Sequence, residues 1–350
     1  MKKCLLVFAL SSFCFLDAFC QSLIAVQNNN TPQFFSEANE AFDAAVEGDT
    51  LYFPAGSFSI ERIINKRLHI IGVGHNPEGT SATGATIFAD GDGNRGVIVY
   101  GNGGGGTLTG ISFVNVNCNS NDCASVRIDS DINGLIIDRV YMPNDLLTYT
   151  GTISNLLVVR SILRRFSVLD INGFQPFGLI NNNIILTKSN RAKNISIESN
   201  IFFYSNTFQD DVLGANGCNI SNNIFLDDNP LSGTVNSSIR NNFGINFNGL
   251  SGSNISSGNI NSSTYTPSEI FTNYFSSANY SYEFDLTLLD GTSLIAAATD
   301  GGQIGIYGGR FPWKDGSIPF NPHIISKNIS GTTDENGNLQ IEVEVQAQGN

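Results

Sequence analysis

Charged residues are few in this chain and histidines fewer still: 14% of its 350 residues are Asp, Glu, Lys or Arg, and only His69, His75 and His323 carry an imidazole. The three are scattered, and no Cys/His spacing of the zinc type occurs, which argues against a histidine-centred metal site. Cations are the scarcer sign, with 18 Lys and Arg against 31 Asp and Glu and a formal charge of −13. So acidic a chain is a poor partner for nucleic acid or an anionic membrane, because like charges repel over a Debye length. Sustained helical periodicity is missing from the middle of the chain, while Gly and Asn are abundant, which points to β structure.

Lys2 and Lys3 precede an apolar stretch from Leu5 to Leu16 that is too short to span a bilayer, and no later segment is a transmembrane candidate. Residues 1–20 therefore read as a signal peptide, with Ala18 and Cys20 at minus three and minus one of a cut before Gln21. A lipoprotein cut at Cys14 or Cys20 is the rival, and it would put Phe13 or Phe19 where a small residue is wanted. Either cut makes the protein secreted, periplasmic or cell-surface. Loss of Lys2, Lys3 and Asp17 shifts the formal charge from −13 to −14. Of the cysteines beyond the signal, Cys118 and Cys123 are close enough for a local disulfide, leaving Cys218 odd.

A short unit recurs: an apolar residue, a spacer, two polar residues that are often Asn, then an apolar residue. It is Ile-Glu-Ser-Asn-Ile from Ile197, Ile-Ser-Asn-Asn-Ile from Ile220 and Ile-Arg-Asn-Asn-Phe from Ile239. Further copies begin at Ile180, Val158 and Ile136, with a looser one at Phe113, Asn115 and Val116. A period near 22 residues predicts stacked coils, each too small to bury its apolar face alone. Asn belongs at a tight bend, where it tolerates the left-handed backbone region and its amide can bond the coils on either side. Leucine-rich repeats lack support for want of a helical half, and a β-sandwich predicts no asparagine column.

The ends are legible as well. Ser36 to Val46, with Phe35, Ala38, Phe42 and Val46 on one face, predicts a helix capping the open end of the stack. Gly103 to Gly106 reads as a loop between coils, with no Lys-Ser/Thr after it to make a phosphate loop. Ser293 to Ala298 and Asp300 to Gly309 read as a terminating coil. Beyond it, His323 to Ile329 and Leu339 to Ala347 flank a turn at Asn336-Gly337-Asn338, and Ile341, Val343 and Val345 alternate with Glu342 and Glu344 as in a half-exposed strand. The organisation expected is a signal peptide over 1–20, a β-helix over 21–310 and a C-terminal extension with a β-hairpin over 311–350.

The Gly-Asp-Thr-Leu-Tyr-Phe-Pro-Ala-Gly stretch from Gly48, Leu-His-Ile-Ile-Gly-Val-Gly from Leu68, the Asn-rich units and Asp-Gly-Gly-Gln-Ile-Gly-Ile-Tyr-Gly-Gly from Asp300 resemble the pectin-lyase-like superfamily. The resemblance covers about residues 33 to 310, and the signal and tail are similar to those of exported Bacteroidetes proteins. It implies an all-β fold, a right-handed parallel β-helix. It does not decide function, since the superfamily holds lyases, hydrolases, esterases, tailspikes and adhesins.

Asp210-Asp211 and Asp227-Asp228 offer carboxylate pairs, but the Gly-His-Gly and Arg-Ile-Lys companions of polygalacturonase-type hydrolases are missing. A pectate-lyase-type activity would call for Ca2+ on carboxylates and an Arg or Lys as base. Aligning the units places Pro143, Arg165, Thr187, Tyr204 and Asp227 in one column and Asn144, Phe166, Lys188, Ser205 and Asp228 in the next. Arg165, Lys188, Tyr204, Asp227 and Asp228 are thus the candidate substrate-binding residues on one side of the stack. The seven Asn-x-Ser sequons, at Asn194, Asn219, Asn236, Asn254, Asn261, Asn279 and Asn328, arise largely from the repeat itself. The leading expectation is an exported protein contacting polysaccharide along its long face; a non-catalytic adhesin-like solenoid and an active polysaccharide lyase are the alternatives.

Overall fold

The computed structural model describes residues 23–28, 31–60, 63–76, 82–90, 97–114, 124–168, 177–187, 190–203, 213–228, 230–245, 247, 250, 252–261, 266–274, 280–314, 318 and 322–347. Three long sheets of 12, 10 and 7 strands dominate it. The chain visits them in a constant order. Ile132–Asp138 joins the 12-stranded sheet, Tyr141–Met142 the 10-stranded and Asp145–Thr148 the 7-stranded; Ile153–Val159, Ile162–Leu163 and Phe166–Val168 then repeat the circuit one strand further on. Apart from Ile24–Asn28, which pairs antiparallel with Thr31–Phe35 and Thr50–Tyr52, every pairing in these sheets is parallel. The topology is consistent with a parallel β-helix.

Within the 12-stranded sheet Leu51, Ile70, Leu108, Ile137, Val158, Ile180, Ile197, Ile220 and Ile239 stand in one register and are fully buried. Each such side chain contributes roughly 1.5–3 kcal/mol by leaving water. Val158 onward agrees with the repeat as read from sequence, but two earlier units need correcting. Ile137, not Ile136, pairs with Val158, and the copy before it begins at Leu108 rather than Phe113. At that bend Gly110 takes the left-handed conformation (φ 66°) that Asn takes later, so no asparagine marks it. Asn115 and Val116, like Cys118 and Cys123, lie outside the described residues. The glycine run also differs from expectation: Gly105–Thr109 is a strand, and a Cβ on Gly106 would collide with the backbone of Leu68 in the coil below.

The paired asparagines at the bend between the 12- and 10-stranded sheets form two columns with separate tasks. Asn183, Asn200, Asn223, Asn242 and Asn259 form a ladder running inside the bend. The Asn223 amide donates to Ile197 O (2.8 Å), Ser221 O (3.0 Å) and Asn242 Oδ1 (2.9 Å), and its Oδ1 accepts from the backbone and side-chain amides of Asn200. Ser161 continues the ladder below with a single hydroxyl, which accepts from Val140 N and donates to Val159 O. The residues just before them, Arg139, Arg160, Asn182, Ser199, Asn222 and Asn241, are the left-handed ones, at φ 48–60°.

Those left-handed side chains bind the chain's own return path. Asn241 Nδ2 donates to Ala297 O (2.8 Å), Asn222 exchanges two bonds with Thr299, and Asn182 Nδ2 reaches Ile306 O and Gly308 O. Residues 294–313 therefore run back down the stack instead of adding a terminating coil, and Ser293–Ala296 is a 3₁₀ turn. The physical reason lies on the 10-stranded sheet. Leu163, Ile185, Phe202 and Phe225 face the main core, while their neighbours Ile162, Ile184, Ile201, Ile224 and Phe243 face outward and need cover. Ile270, Phe271, Leu286, Leu288, Leu294, Ile304, Ile306 and Trp313 supply it as a second core.

The N-terminal helix is Ala38–Ala44, burying Ala38, Ala41 and Phe42. Ala45 is already extended (ψ 145°), so Val46 points into solvent rather than joining the apolar face. At the other end His323–Thr333 and Leu339–Gln346 pair antiparallel about a turn whose Asp334 carboxylate accepts from Asn336 N and Asn338 N. Ile341, Val343 and Val345 are exposed there, so the expected half-burial of that strand is not seen.

The ladder yields a direct prediction. Asn223→Ala orphans buried partners in three coils and should cost at least about 3 kcal/mol in urea unfolding. Asn219→Ala, which removes one part-buried bond to Glu198, should cost under about 1 kcal/mol. Equal losses would show that the amides contribute nothing beyond packing.

Candidate functional site

On the 7-stranded sheet the alternation of strands separates core from surface. Val126, Leu146 and Phe166 pair inward and are fully buried. Arg127, Leu147, Ser167 and Arg191 pair in the adjoining register and make an outward column. Two residues further along the strand, Lys193 projects from the same face as Arg191 by the two-residue period.

The edge where the chain enters this sheet carries a carboxylate and two guanidinium groups. Asp145, with 3% of its side chain exposed, accepts from Arg165 Nε (2.8 Å) and Arg165 Nη2, and Arg164 Nη1 stands 3.4 Å away. The arginines remain 42% (Arg164) and 31% (Arg165) exposed. Their backbone is fixed from the next coil: Arg164 O accepts from Thr187 Oγ1, and the Asn190 amide bridges Phe166 N and Thr187 O. Asp145 orients the two forks, which stay partly exposed and are of the chemistry that bonds a carboxylate or sulfate. At the opposite edge Arg127 Nε donates to Asp129 Oδ1 (2.6 Å) and its guanidinium lies 3.7 Å from the centre of the Tyr149 ring. Arg127, Arg164, Arg165, Arg191 and Lys193 thus face two carboxylates, Asp129 and Asp145, among the described residues of this face.

Of the sequence candidates, Arg165 stands on this face. Lys188 and Tyr204 lie outside the described residues, as do Asp210, Asp211 and Ser205. Asp227 and Asp228 end the strand Ile224–Asp228 of the 10-stranded sheet, one sheet earlier in the circuit. The alignment itself fails at its first member: Leu146 pairs with Phe166, so Asp145 rather than Pro143 is level with Arg165. Phe166, placed in the neighbouring column, is a core residue. Arg164, Asp145, Arg127, Tyr149 and Arg191 were missed. The signal for the first two was present: Asp145 precedes Arg165 by 20 residues, about one coil, so the stack sets opposite charges side by side.

No group of three His, Cys, Asp or Glu able to hold a metal ion occurs among the described residues. The histidine with the strongest perturbation lies elsewhere. His75 is buried, its Nδ1 is 2.7 Å from Tyr282 Oη in the covering layer, and its Nε2 has no partner among the described residues. Burial without a charge partner pushes its pKa down to about 3, and the same burial raises the Tyr282 phenol. His75 fastens an early coil to a segment 207 residues later. Its place between Tyr141 and Tyr282 is that of a tie, not of a proton-transfer group.

Compared with known proteins, the chain matches no protein-family model, and no curated protein matches it in sequence.

The buried imidazole sets an acid limit. With a folded pKa of about 3 and an ordinary value of 6.5, the unfolded chain binds the extra proton as pH falls between them. Stability contributed by neutral His75 is complete above 6.5 and declines toward pH 3, at about 1.4 kcal/mol per pH unit at the steepest. His75→Gln, which does not titrate, should unfold with a shallower acid limb in urea titrations run between these pH values. An unchanged slope would place the acid sensitivity elsewhere.

Proposed function

We propose that the chain is an exported β-helix protein of the pectin-lyase-like type that holds an acidic polysaccharide against the outer face of the 7-stranded sheet. The observation that carries the binding is the charge of that face: among its described residues five cationic side chains accompany two carboxylates, in a chain of formal charge −13. Such segregation attracts a polyanion locally while the rest of the surface repels it, which favours one docking path. A right-handed winding follows from the strong preference of parallel crossovers for that hand. Export rests on the basic, apolar and small-residue pattern of residues 1–20, and places the ligand outside the cytoplasm.

Holding is favoured over cleavage by the arginines themselves. Arg164 and Arg165 share Asp145 and are both engaged as hydrogen-bond donors, a role that suits clamping an anion. A lyase using Ca2+ on carboxylates is the enzymatic alternative; an adhesin-like protein with no glycan site is the structural one.

Native electrophoresis through gels containing polygalacturonate, alginate or uncharged dextran separates these readings. The acidic polymers should retard the protein, dextran should not, and added salt should abolish the effect. Arg165→Ala with Arg191→Ala should weaken retention about tenfold, as expected for losing charge-assisted contacts. Retention unchanged in the double variant, or absent for every polymer, would overturn the proposal. An increase in ultraviolet absorbance from an unsaturated uronide on incubation with Ca2+ would establish the lyase instead.

A further inference from the structure

The pairing of Arg127 with Tyr149 is a poor device for stability. Arg127 has only 8% of its side chain exposed, and its charge is compensated by one carboxylate, Asp129, through one short hydrogen bond. Burying an ion pair in a sheet face is at best neutral compared with well-packed aliphatic side chains. The same outward column shows that aliphatics fit there, since Val99 and Leu147 flank Arg127 in register. What the arrangement does achieve is to hold an aromatic ring still in an exposed position. The guanidinium covers one face of the Tyr149 ring at 3.7 Å, while Tyr149 itself stays 39% exposed. A lone surface tyrosine would sample several rotamers; a cation stacked beneath it, and pinned in turn by Asp129, selects one.

We infer that Tyr149 is a stacking platform for one sugar ring of the polysaccharide, with Arg127 as its positioning residue. This rests on the reading of the 7-stranded face as the docking path. The C–H face of a pyranose is apolar and carries a slight positive edge, the counterpart of the ring's negative face. Tyr149 follows the strand Asp145–Thr148 directly, so the platform stands roughly 13 Å along the strand direction from Asp145 and its arginines. An acidic glycan lying across the sheet would thus meet a stacking contact at one edge and a guanidinium clamp at the other. The stack recognises the ring and the clamp recognises its charge, so the ligand class is a pyranose-based polysaccharide bearing carboxylate or sulfate groups at intervals.

The two contacts respond differently to salt, and that separates them. Binding of the full mature chain to polygalacturonate and alginate is measured by isothermal titration at several salt concentrations, with Tyr149→Ala, Tyr149→Phe, Arg127→Lys, Arg127→Met and Arg165→Ala compared with the wild type. Tyr149→Ala should weaken binding roughly three- to tenfold without changing its salt dependence, and Tyr149→Phe should bind as the wild type does. Arg127→Met should weaken binding, and Arg127→Lys, which restores a cation under the ring, should recover most of it. Arg165→Ala should both weaken binding and flatten its salt dependence. If Tyr149→Ala binds like the wild type while Arg165→Ala does not, the platform is refuted and the docking face stands. If Tyr149→Phe loses as much as Tyr149→Ala, the phenol hydroxyl and not the ring face makes the contact, which also refutes stacking. If the wild type binds neither polymer, face and platform fall together.

Discussion

A side-chain amide that can donate to one coil and accept from another is the interaction on which this structure depends. Parallel coils bring backbone groups into an apolar interior at every bend, where an unpaired carbonyl or N–H costs more than a hydrogen bond returns in water. Asn183, Asn200, Asn223 and Asn242 resolve this by bonding the coil before and the coil after at once, and Asn183 and Asn223 bond their own strand as well. No other small side chain carries both a double donor and an acceptor. Ser161, with one hydroxyl, holds the same position lower in the stack with fewer bonds. Polar groups in a chain polarise one another, so the ladder also makes neighbouring coils interdependent.

The same bend determines where the end of the chain goes. Its left-handed residue turns a side chain outward once per coil, and wherever that residue is Asn it presents an amide to whatever lies alongside. Residues 294–313 lie alongside, taking bonds from Asn241, Asn222 and Asn182 in descending order. Lower down, where Arg160 and Arg139 hold the position, the contacts change in kind. Arg160 pairs with Asp138 and lies over Phe311, and Arg139 donates to Ile318 O. A backbone requirement at one corner has thereby produced a track of donors for the returning segment, which covers the outward isoleucines of the 10-stranded sheet.

Charge is distributed by the same stacking. An acidic chain with 18 cations could have scattered them as solvated side chains. Instead two arginines converge on the buried carboxylate of Asp145, and a third sits beneath Tyr149 with Asp129 beside it. Both carboxylates limit the rotamers of the arginines they touch, so Arg164 and Arg165 keep partly exposed guanidinium groups in fixed positions while Arg127 stays beneath the Tyr149 ring.

Periodicity was readable in the chain because each unit repeats the same physical demands: an aliphatic residue for the core, a residue tolerant of the left-handed region, and an amide for the ladder. From Val158 to Ile239 those demands produce the register found in the sheets. The pattern lost its marker where Gly110 met the backbone demand without an amide, and slipped by one at Ile136, where two adjacent isoleucines are equally apolar. Arg165 could be named because it follows a unit at a fixed distance. Arg127 and Tyr149 could not be joined to each other, because their contact depends on which residues become neighbours across coils of unequal length. The sequence by itself determined the coil, its corner and its core, since these are local requirements repeated many times. Only the tertiary structure decided that the closing segment returns along the outside, and which charges share a face, because both depend on surfaces that exist only once the coils have stacked.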